Sequence, residues 1–146
     1  MHPKSSAVPI SSRDVLLVGL GGCIGTLVRA CLVVLIPSVG PFPTAICLIN
    51  ISGAFILGWL LAVLSPISPE SDRSRAARLF FGTGLLGGYT TYSTFAVDER
   101  GFILAGDMGT ALLFGLPTAV LGIVAAAAGS ALVKTSHARG IRRTRS

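Results

Sequence analysis

The chain has 146 residues, 51% of them hydrophobic and only 12% charged, with a net charge of +6. A mean hydropathy of +0.77 places it among integral membrane proteins rather than soluble domains. The positive charge does not signal nucleic acid, because the basic residues flank apolar runs and gather between Lys134 and Arg145.

Residues 1–13 are polar, carry Pro3, Pro9 and several serines, and read as a flexible N-terminal tail. Four apolar runs follow, at 15–36, 45–64, 79–97 and 111–133. Each is close to the roughly 20 residues that cross a bilayer core. The first is too long for a signal-peptide core and no small-residue cleavage site follows it, so it reads as a span. Pro37, Gly40, Pro41 and Pro43 close the first connection, and Ser65 to Glu70 with Arg73, Arg75 and Arg78 make the second. Asp98-Glu99-Arg100-Gly101 opens the third, with 102–105 able to prolong the third helix past the membrane surface. The expected class is an all-α integral membrane protein, with a four-helix membrane domain over 14–133 and a basic cytoplasmic tail over 134–146.

Charge placement sets an orientation. With the N-terminus in the cytoplasm, Lys4, Arg13, Arg73, Arg75, Arg78, Lys134, Arg139, Arg142, Arg143 and Arg145 all lie inside. Only Arg100 lies outside, and Arg29 falls within the first run. This positive-inside bias predicts a multi-pass protein of the cell membrane with both termini cytoplasmic.

Four spans enclose little pathway by themselves. Gly21 and Gly25 form a small-xxx-small pair, Gly82, Gly84, Gly87 and Gly88 follow one another in the third run, and Gly122, Gly129 and Ser130 lie in the last. Such spacing lets backbones approach within or between subunits, and together these residues favour an oligomer. Cys23, Cys31 and Cys47 have neither metal-ligand spacing nor an even-numbered disulfide set, and read as small packing residues.

The third run is the unusual one. Gly87 and Gly88 are followed by six hydroxyl-bearing residues, Tyr89 to Thr94, and then Phe95. Non-regular backbone inside a bilayer is tolerated only where protein covers it or it lines a watery path. The glycine pair is the expected point of unwinding, and freed carbonyls there suit a small hard cation such as Na⁺. The alternative is a kinked helix whose hydroxyls bond back to their own backbone. Tyr92 and Phe95 share a helix face, and ring edges carry positive charge that attracts a bare anion, with Ser93 and Thr94 replacing hydration water.

Two further residues stand out. Asn50 is the only amide in any run and either donates to an ion or bonds a neighbouring helix. Arg29 either snorkels or bonds locally, or draws anions to a pore mouth. No Asp or Glu lies within a run, which speaks against a proton-coupled carrier. No Ser/His/Asp set or His cluster is present to support catalysis, so an enzyme is not expected.

Over residues 15–133 the chain resembles the Fluc (CrcB) family of fluoride channels. The resemblance is carried by Gly21-Gly22-x-x-Gly25-x-x-x-Arg29, by Thr44 through Asn50 to Gly53, and above all by Gly87–Phe95, which is similar to the family pattern GG-x-TT-F-ST-F. It implies four transmembrane helices with a broken third, an antiparallel dimer with two fluoride pathways, and a structural, non-transported Na⁺ held by the carbonyls of Gly87 and Thr90. It also implies a fluoride pathway past Asn50, Tyr92, Ser93, Thr94 and Phe95, and passive fluoride export that relieves fluoride toxicity.

One position departs from that pattern: the first aromatic of the pair is Tyr92, not phenylalanine. The one-sided charge also conflicts with a homodimer, which needs a chain that inserts both ways. A homologous partner of opposite orientation is the expected arrangement. Two other readings follow from the same residues, a non-conducting partner subunit and a small four-helix multidrug transporter.

Overall fold

The computed structural model describes residues 10–40, 42–65 and 71–143, with the backbone alone for 134–143. The regular elements of the described residues are all helical, apart from one isolated antiparallel bridge between Val39 and Phe42. The tail expected over 1–13 lies largely outside them.

Helix α1 (Ser12–Leu35) begins where a capping box dictates: Ser11 Oγ accepts from the Asp14 amide, and the Asp14 carboxylate accepts from the Ser11 amide. Asp14 also takes an ion pair from Arg75 at 2.7 Å, tying this end to the chain after the second connection. Helix α2 (Thr44–Leu64) starts after Pro43. Helix α6 (Met108–Arg143) follows a turn at Gly106, whose φ of +76° favours glycine, and Asp107 caps it through the Thr110 amide. The backbone expected to be a tail from Lys134 continues this helix to Arg143. Helices α1, α2 and the 108–133 part of α6 are each long and apolar enough to cross a membrane.

The third run is not a single helix. It is built from α3 (Asp72–Ala77), a π-helical stretch Arg78–Leu86, the short α4 (Gly87–Tyr89), and α5 (Tyr92–Leu104). Thr90 and Thr91 separate the last two in extended conformation.

Glycines decide how these pieces pack. Helix α1 lies along the π-helical stretch and α4, and α2 lies along α6. A Cβ on Gly21 would sit 2.8 Å from the Leu85 amide nitrogen, and one on Gly25 would sit 2.8 Å from that of Tyr89. The second seam is made alike, with Gly129 against the Trp59 backbone. The buried core is small, with Ile46, Ile49, Leu86 and Phe114 its larger members. Large apolar side chains instead cover the outside, among them Leu27, Val34, Leu116 and Ile123, as expected of surfaces that meet lipid or another subunit.

Candidate functional site

The break falls at Thr90-Thr91, three residues beyond the expected glycine pair. Gly87 keeps helical dihedrals (φ −64°, ψ −36°), whereas Thr90 is extended (φ −76°, ψ 157°). Gly88 is needed for approach rather than for unwinding, because a Cβ there would meet the Gly22 carbonyl and Thr26 Oγ1 of α1. The helix restarts because the Thr91 hydroxyl accepts from the Thr94 amide, the usual threonine N-cap.

Some of the backbone groups near the break find partners on other helices. Asn50 of α2 holds both polar groups of Thr91: its Nδ2 donates to the Thr91 carbonyl at 3.0 Å, and its Oδ1 accepts from the Thr91 amide at 2.9 Å. Arg29 of α1 donates from Nε to the Gly88 carbonyl at 3.1 Å, so it bonds inward instead of snorkelling. The carbonyls of Gly87, Tyr89 and Thr90 accept no hydrogen bond among the described residues. Free carbonyls are neutral hard donors of the kind a small cation takes. Among the described residues no group of three or more His, Cys, Asp or Glu is placed to hold a metal.

An open, mostly apolar groove of about 530 Å³ runs past this break. It brings together Asn50, Gly87, Thr90, Tyr92 and Phe95, five of the eight expected site residues, with Thr91 beside them. Arg29, Ser93 and Thr94 are not in its lining. The last two cluster on Thr91 instead. The Thr91 hydroxyl donates to Thr94 Oγ1 at 3.0 Å, and having one proton it accepts from Ser93 Oγ at 3.2 Å. The run is thus polarised from Ser93 through Thr91 to Thr94, with the Thr94 proton uncommitted among the described residues.

The aromatic pair is asymmetric. Phe95 is half-buried, its ring 5.3 Å from Phe114 of α6, while Tyr92 is 82% exposed with its ring 6.4 Å from that of Phe95. Phe42 and Phe102 also pack around Phe114. No local pattern marks Phe114, since a phenylalanine in an apolar helix reads as ordinary packing. Thr118, one turn further on, lines the groove, but its hydroxyl is spent on the Phe114 carbonyl at 2.7 Å.

Two carboxylates lie just past the third run. Asp98 Oδ2 and Glu99 Oε1 have no partner among the described residues, and Glu99 packs against Gly115.

Three apolar helices, a broken segment before the last of them and a groove that gathers Asn50, Gly87, Thr90, Tyr92 and Phe95 define a membrane protein with an interrupted, polar third segment. Comparison with known proteins narrows that class. The model of the family described as CrcB-like protein, Camphor Resistance (CrcB), matches residues 16–130. The chain is 45% identical over 129 residues to fluoride-specific ion channel FluC 2 of Leifsonia xyli, covering 88% of this chain and 89% of the relative. It is 41% identical over 121 residues to fluoride-specific ion channel FluC of Deinococcus radiodurans, covering 80% and 92%. Against fluoride-specific ion channel FluC 1 of a Listeria monocytogenes strain it is 38% identical over 119 residues, covering 75% and 93%. The chain belongs to the CrcB family.

Proposed function

We propose that this chain is a subunit of a fluoride-selective channel that lets fluoride leave the cytoplasm passively. The observation that carries this reading is the break at Thr90-Thr91, where residues with unpartnered carbonyls, Gly87 and Thr90, line one groove with the aromatic pair Tyr92 and Phe95, and the free Thr94 hydroxyl lies next to Thr91. The relatives' printed names supply the ion. In this reading α3 to α5 together make a fourth crossing, and both termini face the cytoplasm, as the charge placement requires.

Fluoride holds its hydration shell tightly, so a pathway must replace water with donors that do not trap the ion. The Ser93–Thr91–Thr94 run ends in one uncommitted proton, that of Thr94, a hydroxyl donor without fixed charge. Phe95, wedged on Phe114, offers a ring edge whose position is set by packing. The apolar remainder of the groove keeps the site dry, which strengthens each of these weak attractions.

The free carbonyls of Gly87 and Thr90 fit a structural Na⁺, and these two residues would hold it. When bound it supplies fixed positive charge beside an anion path. One chain offers few such donors, and a second, antiparallel subunit would double them. The exposed Tyr92 and the outward-facing apolar side chains leave a surface for that subunit. Positive charge on one side argues that the subunit is a homologue of opposite orientation, and the numbered names FluC 1 and FluC 2 among the relatives agree with paired subunits.

A second reading rests on Tyr92. Its phenol stands where the family pattern has an unsubstituted ring, and a hydroxyl there would occupy or hold the ion. The chain would then be the non-conducting half of such a pair. Growth on fluoride of sensitive cells that carry the chain with its partner decides between them. Phe95→Ala is expected to abolish resistance if this subunit's own aromatics conduct, and to leave resistance intact if it is a scaffold.

A further inference from the structure

Tyr89 opens the run of hydroxyls and reaches across to a second helix. It ends α4 and precedes Thr90, whose carbonyl is free. Its phenol lies 2.8 Å from Ser52 Oγ of α2. Ser52 spends its own proton on the Ile49 carbonyl at 3.2 Å, so its oxygen is left to accept and the phenol donates. Gly53 makes the slot for this ring: a Cβ there would lie 3.2 Å from Tyr89 Cδ1 and would overlap the Thr90 methyl.

One turn of α2 therefore grips the chain on both sides of Thr90. Ser52 holds residue 89 through its side chain, and Asn50 holds residue 91 through its backbone. The Thr90 hydroxyl is engaged separately, with the Leu86 carbonyl at 2.8 Å. The carbonyl between the two grips has no partner, yet its direction is set from either end.

We infer that Tyr89 and Ser52 form a positioning pair that aims the Thr90 carbonyl at its cation, and that cation affinity depends on this neutral hydrogen bond. The inference rests on the proposed Na⁺ site and deepens it. Neither residue touches the ion.

The test uses the purified protein, with its partner subunit if it needs one, with Na⁺ replaced stepwise by choline. The readouts are the thermal unfolding midpoint and fluoride efflux. Tyr89→Phe and Ser52→Ala should each raise the half-saturating Na⁺ about five-fold, as expected for one net hydrogen bond. The double variant should be no worse than either single one, and efflux at saturating Na⁺ should return to the wild-type value. Ser52→Thr, which keeps the hydroxyl, should restore affinity. A wild-type protein that responds to Na⁺ alongside variants with unchanged half-saturation would overturn the inference alone. A midpoint lowered equally at every Na⁺ concentration would do the same, since it marks a merely structural bond. A wild-type protein indifferent to Na⁺ would overturn the cation reading itself and the inference with it.

Discussion

Asn50→Ala is expected to abolish fluoride flux and to cost roughly 2–5 kcal/mol of stability, the penalty for two unsatisfied buried polar groups. Thr91 is only 7% exposed, and both its amide and its carbonyl are bound by this one side chain. Water in a membrane cannot take over, because the surrounding groove is mostly apolar. The chain then has two escapes: to rewind the break into helix, or to lose the packing of α2 on the third segment. Either removes the free carbonyls of Gly87 and Thr90. Asn50→Asp keeps the acceptor for the Thr91 amide and loses the donor, so it should fall between wild type and alanine. Denaturation in detergent, paired with efflux at matched protein, measures both losses. Full stability with silent flux would instead mean that Asn50 acts on the ion alone.

Gly25→Val should be at least as damaging, through packing rather than polarity. The new Cβ would strike the Leu85 carbonyl and approach the Tyr89 amide nitrogen at 2.8 Å, and backbone cannot step aside as a side chain can. Helix α1 must then move away from the π-helical stretch, which also draws Arg29 off the Gly88 carbonyl. The expected result is loss of the folded, monodisperse protein on size exclusion. Gly19→Ala is the matched control, because no atom lies within 4 Å of a Cβ there. It should fold and conduct as wild type.

The sequence made the helical segments legible because hydropathy over 20 residues is a bulk property that no single contact overrides. Three of the four expected runs are indeed single long helices. The third was recognisable as irregular, yet its break was expected at Gly87-Gly88 and lies at Thr90-Thr91. Glycine carries two signals, poor helix propensity and room for close approach, and here the second wins at Gly88. What places the break is a contact across 41 residues of chain, Asn50 with Thr91, which no local pattern encodes. Arg29 was ambiguous for the same reason, since its role is set by a partner on another segment, the Gly88 carbonyl. The π-helical turns and the wedge of Phe114 behind Phe95 left no mark in composition or spacing.

Whether this chain conducts fluoride, and only as one of a pair, is read from efflux out of liposomes loaded with fluoride, followed with a fluoride electrode and repeated with chloride. The chain is reconstituted alone and then with a homologue of opposite orientation. Rapid fluoride efflux is expected from the pair, none from the chain alone, and no chloride efflux from either. Chloride leaving as fast as fluoride, or fluoride retained in both preparations, would contradict a fluoride-selective channel.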